Sequence, residues 1–265
     1  MAGSPIILTT DFGQIDEYVG VLKGVILSIN PQAAIIDLSH GIPPQDIGRA
    51  AEVIGRNYDY FPDGSVHLCV VDPGVGTGRR IIVVRACNQL FIGPDNGVFS
   101  HILETDQAAE VYELSNSHWF LENISATFHG RDIMAPAAAH LSLGASIDEA
   151  GPLIPTDSCV TISIAKPLVS EAEISGQISA IDSFGNLITN IEAAILIDFG
   201  LTPALTIGIK SHMLQFHQGS YAHLPDNRPA AIINSSSMLE ICVKNGNSAA
   251  LLDVGIGEKV MVKRE

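Results

Sequence analysis

The sequence is poor in the residues on which disulfide-rich and nucleic-acid-binding proteins depend. Its 265 residues contain one tryptophan and four cysteines. The cysteines form no Cys-x-x-Cys pair, so we predict reduced, structural thiols in a cytoplasmic protein. Only 14 Lys and Arg oppose 29 Asp and Glu, and the resulting formal net charge of −15 disfavours binding to phosphate backbones.

Long apolar runs are also missing. No segment approaches the roughly 20 apolar residues that a membrane-spanning helix requires. The first residues lack the basic and apolar segments of a signal peptide, so we expect neither secretion nor membrane insertion. Hydrophobic residues nevertheless make up 46% of the chain against 16% charged, a composition that favours a folded core over disorder.

Strand and helix patterns alternate along the N-terminal part of the chain. Predicted strands cover 5–10, 33–38, 66–71 and the hairpin 80–86 with 89–92, and predicted helices cover 17–30, 45–58 and 132–143. This alternation predicts an α/β N-terminal domain with a largely parallel central sheet.

The pattern changes after a proline-containing stretch, 152–167, which we interpret as a linker. Short strands punctuated by Gly and Asn then follow at 173–181, 187–191, 204–210, 230–233, 238–244 and 258–263. They predict an all-β C-terminal domain, a small barrel. The predicted domain limits are 1–158 for the α/β domain and 168–265 for the β-barrel domain.

Polar residues follow three predicted N-terminal strands. Asp11 follows the first strand, His40 the second and Asp72 the third. Ligands of open α/β sheets bind beyond the carboxyl ends of the strands, so these residues are candidates for a site. Each of them alone also fits an ordinary loop cap or turn.

The segment from Asp72 to Arg80 is rich in glycine, which permits a tight loop. It lacks the spacing of a dinucleotide-binding loop and the lysine of a phosphate-binding loop. His129 precedes a glycine and the predicted helix, for which Asp132 is a candidate cap. The segments 182–186 and 234–237 have the composition of turns.

Taken together, these segments resemble the S-adenosylmethionine (SAM) hydroxide adenosyltransferases, which are relatives of fluorinating and chlorinating enzymes. The resemblance extends from Thr9 to the last predicted strand. It is carried by Thr9-Thr-Asp-Phe-Gly13, Asp37-Leu-Ser-His40, Val70-Val-Asp-Pro-Gly-Val-Gly-Thr-Gly-Arg79, Gly93-Pro-Asp-Asn-Gly97, Phe128-His-Gly-Arg-Asp132, Asp182-Ser-Phe-Gly-Asn186 and the Asn234-Ser235 region.

The resemblance implies an enzyme that hydrolyses SAM to adenosine and L-methionine without a metal or a further cofactor. It implies a homotrimer that binds its ligand where one subunit's N-terminal domain meets a neighbour's C-terminal domain. The implied water-activating residues are Asp72, Arg79 and His129. The implied substrate contacts are Asp11 at the ribose hydroxyls, Asp182, Phe184 and Asn186 near the methionine portion, Asn234, Ser235 and Ser236 near the adenine, and also Asn96 and Phe128.

The chemistry of SAM fits this assignment. Its sulfonium leaves as a neutral thioether, so the leaving group needs no general acid. The enzyme must hold a nucleophile in line with the C5′–S bond and draw a proton from water. Arg79 stays protonated and cannot be the base, whereas Asp72 or His129 can accept the proton, and the sequence leaves that choice open.

Three other functions compete with hydrolysis. A SAM-dependent halogenase would attack C5′ with a halide, but the halogenating relatives lack an aspartate matching Asp72, carry a serine at the position of Gly130 and contain an inserted loop that this chain lacks. A metal-dependent nucleoside hydrolase would need further carboxylates near Asp11. A non-catalytic adenosine- or SAM-binding protein would not need the Asp72, Arg79 and His129 set.

Overall fold

The computed structural model describes residues 3–202 and 204–264, and the chain divides into one unit that ends at Ile164 and another that begins at Ala165. The outer limits of the two predicted domains, 1 and 265, lie outside the described residues. Within the described ranges, no helix is long and apolar enough to cross a membrane.

The N-terminal unit is built from strands and helices that alternate at first. Its strands are β1 (Ile6–Thr10), β2 (Ile35–Ser39), β3 (Val66–Val70), β4 (Ile81–Ala86), β5 (Gln89–Pro94), β6 (Glu110–Glu113) and β7 (Leu153–Ile154). Its α-helices are α1 (Tyr18–Ile29), α2 (Ile47–Gly55), α3 (Ser100–Thr105) and α4 (Ala135–Ser142), and the π-helical segment Gly130–Met134 leads into α4. Short 3₁₀ turns lie at Tyr58–Tyr60, Ser117–Trp119, Ile147–Ala150 and Thr156–Ser158.

The seven strands form one sheet in the order β2-β1-β3-β5-β4-β6-β7. The pairs β1–β2, β1–β3 and β3–β5 are parallel, and the remaining pairs are antiparallel. The predicted hairpin is present as β4 and β5. The sheet is therefore mostly parallel on the side that holds β1, β2 and β3, as the alternation predicted.

Helices cover both faces of this sheet, and the side chains of β3 show why. Val66, Leu68 and Val70 point to the core that contains residues of α1 and α4, whereas Cys69 and Val71 point to the core that contains residues of α2 and α3. Successive side chains of a strand face opposite sides, so a strand buried on both faces is apolar at nearly every position. Every residue of β1 and β3 is buried, which explains why most of their side chains are apolar.

Some N-terminal elements differ from the sequence predictions. The helix predicted over 45–58 begins only at Ile47, because Asp46 caps it by accepting from Arg49 N and Gln45 has a positive φ of 66°. The predictions missed helix α3 and strands β6 and β7, which are shorter than the helices and strands that were predicted in this unit and therefore show less periodicity. Strand β7 lies in the stretch interpreted as a linker, and it pairs with β6.

The C-terminal unit consists of antiparallel strands with two short helices. Its strands are β8 (Leu168–Val169), β9 (Glu173–Ile181), β10 (Leu187–Glu192), β11 (Leu205–Ile209), β12 (His212–Gln215), β13 (Pro229–Ile233), β14 (Met238–Val243) and β15 (Lys259–Arg264). Its helices are α5 (Ala193–Asp198) and α6 (Ser248–Leu252), and a 3₁₀ turn lies at Tyr221–His223.

These strands form a nearly closed, barrel-like sheet in the order β12-β11-β15-β9-β10-β14-β13, with β8 beside β9. The two ends of this path approach each other, because Phe216 bridges to Ala231 and His217 N donates to Ala231 O at 2.8 Å. Alternate residues of β9 and β11 are buried, which is the period-2 pattern of a sheet with one face toward a core. The prediction of a β-rich C-terminal domain is confirmed at this level.

One buried histidine of the N-terminal unit makes its stability depend on pH. His67 is 1% exposed, its ring stacks on Phe91 and its Nε2 pairs with Gln89 Oε1. Burial lowers the pKa of His67 to about 4, although the hydrogen bond to Gln89 opposes the shift. The unfolded chain, with an ordinary histidine pKa of 6.5, therefore binds this proton more readily than the folded chain does.

We predict that replacing His67 by phenylalanine reduces the loss of stability on acidification. Between pH 6.5 and about 4 the unfolded state takes up the His67 proton first, so stability falls as the pH is lowered, by about 3 kcal/mol at most for this group. Urea denaturation at pH 7 and pH 4.5 measures the difference for wild type and His67→Phe. The exposed His118→Phe is the matched control, and an equal acid loss in His67→Phe and wild type would refute the prediction.

Candidate functional site

The parallel strands bring the predicted strand-end residues to one edge of the N-terminal sheet. In the register of the sheet, Thr9 of β1 lies beside Ser39 of β2 and Cys69 of β3. Residues that follow these strands by one to three positions, Asp11 and Asp72 among them, therefore emerge at the same edge.

Arg79 links Asp72 to His129. Its Nε donates to Asp72 Oδ1 at 2.9 Å and to Oδ2 at 3.0 Å, and its Nη2 also donates to Asp72 Oδ2. The same Nη2 lies 3.0 Å from His129 Nδ1. The side chains of Asp72 and Arg79 are only 5% and 11% exposed, so this is a largely desolvated ion pair.

The contact with Arg79 fixes the protonation of His129. An arginine side chain can only donate, so His129 Nδ1 must accept, and a neutral ring then carries its proton on Nε2. Burial and the Arg79 charge lower the pKa of His129, while Asp72 and Asp132 oppose the shift. His129 is therefore neutral near pH 7 and presents Nε2–H as a hydrogen-bond donor.

The glycine-rich loop between Asp72 and Arg79 is closed by its own hydrogen bonds and by the segment before His129. Thr77 Oγ1 donates to Gly74 O at 2.6 Å. Gly76 has a φ of 77°, and a Cβ there would lie 2.3 Å from Ala126 O. Position 76 therefore requires glycine, both for its conformation and for this close approach.

The π-helical segment that follows His129 is anchored by Asp132, which is fully buried. Its carboxylate accepts from Ser125 N at 2.8 Å and from Arg131, and its carbonyl accepts from Leu121 N. Burial alone would raise the pKa of Asp132, but the hydrogen bonds from Arg131 and Ser125 outweigh it and hold the pKa below its usual range. Single π-helical turns are frequent at functional sites, and this one begins directly after His129.

Asp11 is held by the backbone of Gln45, whose N–H donates to Asp11 Oδ2 at 2.8 Å. Gln45 adopts a positive φ of 66°, a conformation that costs energy in a residue other than glycine. Beside Asp11, the rings of Phe12, Tyr18 and Phe128 pack against one another with centroids 5.4 to 5.7 Å apart. This aromatic group joins the loop that carries Asp11 to the segment that carries His129.

Asn96 uses its side chain within the protein. Its Nδ2 donates to Val71 O at 2.9 Å, and its Oδ1 accepts from Val98 N at 3.2 Å. These bonds hold the peptide that precedes Asp72. A direct contact between Asn96 and substrate stays a prediction.

In the C-terminal unit, the loop between β9 and β10 is organised around Asp182. Its Oδ1 accepts from the backbone N–H groups of Phe184 and Asn186, and its Oδ2 accepts from Asn186 Nδ2, each at 2.9 Å. The Phe184 side chain is 75% exposed. Gly185 has a φ of 82° and lies so close to the Asn247 side chain that a Cβ could not fit. The turn around Asn247 therefore supports this loop.

The loop between β13 and β14 is organised around Asn234 in a similar way. Asn234 Oδ1 accepts from Ser236 N and Met238 N, both at 3.0 Å, and its Nδ2 donates to Glu240 Oε2 at 3.1 Å. Glu240 is buried, and its other oxygen accepts from Tyr221 Oη at 2.7 Å. Ser235 is exposed at the tip of the loop.

Sequence reasoning missed Glu240 and Tyr221. Burial raises the pKa of Glu240, the bonds from Tyr221 and Asn234 oppose the shift, and the nearby charge of Asp182 adds to it. Strand β10 pairs with β14, with Leu187 opposite Ile241 and Glu192 opposite Met238, so the Asp182 loop adjoins the Val243 end of β14 and the Asn234 loop adjoins its Met238 end. The sequence did contain a signal for a buried, paired carboxylate, because Glu240 interrupts the otherwise apolar strand β14. Buried charged residues are rare unless they are paired.

Within residues 3–202 and 204–264, no group of three or more His, Cys, Asp or Glu side chains is arranged to hold a metal ion. The four cysteines are unpaired, as the sequence predicted. Burial raises the pKa of the Cys69 thiol, which lies near Asp11 and Asp72, so it stays protonated near pH 7.

Two family profiles match the chain. The SAM hydroxide adenosyltransferase N-terminal domain matches residues 6–151, and the SAM hydroxide adenosyltransferase C-terminal domain matches residues 176–261. The chain is also similar to a crystal structure of an uncharacterized conserved protein from Thermotoga maritima. That similarity has a TM-score of 0.92 and 34% identity, over 98% of this chain and 100% of the other.

Named relatives point the same way. The chain is 36% identical to an (R)-S-adenosyl-L-methionine hydrolase from Salinispora arenicola, over 99% of both chains. It is 33% identical to a protein of the same name from Thermus thermophilus, over 97% of this chain and 98% of the other. A fluorinase from Actinoplanes sp. is 31% identical over 75% of this chain and 76% of its own. The chain therefore belongs to the SAM hydroxide adenosyltransferase family.

Proposed function

We propose that this protein hydrolyses S-adenosyl-L-methionine to adenosine and L-methionine by in-line attack of an activated water on C5′ of the ribose. The observation that carries the proposal is the Asp72–Arg79–His129 cluster, in a chain that matches SAM hydrolases over its full length. SAM is the substrate, and the reaction as proposed uses no metal and no further cofactor.

The reaction needs an activated nucleophile and little else. The oxygen of water forms a bond to C5′ while the C5′–S bond breaks, and the electron pair of that bond stays on the sulfur of methionine. Because the sulfonium becomes a neutral thioether, the leaving group requires no proton. The catalytic task is therefore to position water and to remove one proton from it.

The contacts of the cluster suggest how the task is divided. His129 Nδ1 is engaged by Arg79, so the free ring atom of His129 is Nε2–H, which can orient water but cannot accept its proton. Asp72 Oδ1 accepts one hydrogen bond, from Arg79 Nε, and retains capacity for another. We therefore assign Asp72 as the proton acceptor and Arg79 as the fixed cation that stabilises the developing hydroxide.

Halide attack is disfavoured at the same site. A halide would be repelled by the carboxylate of Asp72. A side chain at Gly130 would also bring a Cβ within 2.7 Å of Val70 Cγ1, so the serine of the halogenating relatives would require Val70 to move. The fluorinase relatives cover about three quarters of the chain, whereas the hydrolases cover nearly all of it.

The same proposal includes the substrate contacts, the assembly and the location. Asp11 binds the ribose hydroxyls, the loop at Asp182 contacts the methionine portion and the loop at Asn234 contacts the adenine. The protein is a cytoplasmic homotrimer in which the ligand lies at a contact between subunits. The unpaired cysteines support a reducing compartment.

We predict that the purified protein converts SAM to adenosine and L-methionine, and that chloride does not change the products. Chromatography with mass detection, with and without chloride, makes the measurement. A 5′-chloro-5′-deoxyadenosine product would replace hydrolysis by halogenation, and SAM binding without turnover would indicate a non-catalytic binding protein. Loss of activity in a chelator would favour a metal-dependent hydrolase.

We predict that Asp72→Asn lowers kcat by about 10²–10⁴, the usual contribution of a positioned base, with unchanged affinity for adenosine. His129→Asn should lower kcat less, because the proton acceptor remains. Asp95→Asn is the matched control, since Asp95 is also a buried aspartate paired with an arginine, Arg80. A larger loss of kcat in His129→Asn than in Asp72→Asn would reverse the two roles.

We predict that light scattering of the purified protein gives a mass of three chains. Each chain has a mass of 28.1 kDa, so the expected particle is about threefold heavier. A monomer that turns over SAM at the same rate per chain would contradict the intersubunit site.

A further inference from the structure

His40, which directly follows β2, contacts the end of β1, the strand that leads to Asp11. It is 3% exposed. Its Nδ1 is 2.9 Å from Thr10 Oγ1, at the end of β1. Its Nε2 lies 3.1 Å from Asp37 Oδ1, which is close enough for an electrostatic contact, although the geometry is not that of a hydrogen bond. Asp37 Oδ2 also pairs with Lys23 Nζ at 2.7 Å.

The same histidine holds the turn that carries Asp11 from both sides. Thr10 Oγ1, which contacts the ring of His40, also accepts from Phe12 N at 3.3 Å. The backbone carbonyl of His40 accepts from Gly13 N at 2.8 Å. Asp11 therefore lies between two attachment points that both lead to His40.

The contacts from Asp37 to His40 and from His40 to Thr10 resemble a catalytic triad in which Thr10 would be the nucleophile. The burial of Thr10 rules out that role. Thr10 is 0% exposed, so no substrate can reach its hydroxyl. That hydroxyl is also occupied by Phe12 N and the His40 ring. The network is consequently a device for holding the backbone.

We propose that His40 is a positioning residue which, through Thr10, fixes the carboxylate of Asp11 and so sets the preference of the site for ribose over deoxyribose. The proposal rests on the proposed function, in which Asp11 binds the ribose hydroxyls. Asp11 Oδ2 already accepts a hydrogen bond from Gln45 N. The position of Asp11 Oδ1 therefore depends on the backbone turn at residues 10–13, which Thr10 and His40 hold. A hydroxyl pair is recognised only when both acceptors are correctly placed, which makes discrimination sensitive to small displacements.

The test compares the affinity for adenosine with that for 2′-deoxyadenosine by calorimetry. We expect wild type to prefer adenosine about ten- to hundredfold, the range for a hydrogen bond to a charged group. Thr10→Val and His40→Leu should each lower this ratio at least about fivefold, mainly by weakening adenosine binding. Thr10→Ser should keep the ratio, because it keeps the hydroxyl.

Thr189→Val is the matched control. Thr189 is also 0% exposed, and its hydroxyl donates to Leu239 O and accepts from Ile191 N, but it lies in the C-terminal unit. Thr189→Val should lose stability as Thr10→Val does, and it should keep the wild-type ratio of adenosine to 2′-deoxyadenosine affinity. The Thr10→Val and His40→Leu effects on the ratio should be non-additive in the double variant, since they break one shared contact.

The outcomes separate this inference from the proposed function. An unchanged ratio in Thr10→Val and His40→Leu, with a collapsed ratio in Asp11→Ala, would overturn the role of His40 alone. An unchanged ratio in Asp11→Ala, or no preference in wild type, would remove Asp11 from ribose binding and the inference with it. If Thr10→Val fails to fold, the affinity ratios of His40→Leu and Thr10→Ser still test whether His40 sets the preference for ribose.

Discussion

The guanidinium of Arg79 bonds to Asp72 and His129 at once, and the other features of the N-terminal site depend on this contact. A carboxylate with 5% exposure is costly to bury unless a cation compensates it, and Arg79 supplies that cation to Asp72. The same cation lowers the pKa of His129 and occupies its Nδ1. The compensation of the Asp72 carboxylate and the tautomer of His129 therefore both depend on the side chain of Arg79.

The fold supplies the positions that this contact requires. Asp72 follows β3, Arg79 comes from the glycine-rich loop and His129 precedes the π-helical turn, so three separate segments must be fixed independently. Gly76 permits the loop to approach Ala126 O, and buried Asp132 ties the His129 segment to Ser125 N. These supports lie outside the cluster itself, which is why a site of three residues needs much of the N-terminal unit.

How far the sequence predicts the structure depends on whether an element has its own periodicity. Strand β9 was predicted with its observed limits, because its alternate burial is visible in the sequence. Helix α3 and strand β6 were not predicted, because they are shorter than the predicted helices and strands of the N-terminal unit and carry less periodic signal. The positive φ of Gln45 also could not be foreseen, since tertiary contacts rather than residue preference impose it.

The candidate site divides in the same way. The strand-end position of Asp11 and Asp72 follows from parallel strands, which the alternation of elements indicates. The contact between Arg79 and His129, which are 50 residues apart, was implied only by the resemblance to a family. Glu240 escaped notice because burial and a partner such as Tyr221 become visible only when β14 is seen beside the Tyr221–His223 turn.

The carboxylates of the two units are compensated differently, and the difference matches the charges of the proposed substrate. Asp72 is paired with the guanidinium of Arg79, so its carboxylate has a cationic partner within the N-terminal unit. Asp182 accepts its hydrogen bonds within the described residues from neutral N–H groups of Phe184 and Asn186 rather than from a guanidinium. SAM carries a sulfonium and an ammonium, whereas its product adenosine carries neither. Under the proposed function, Asp182 therefore offers its carboxylate to the cationic methionine portion of SAM, whereas Asp72, already paired with Arg79, acts on water.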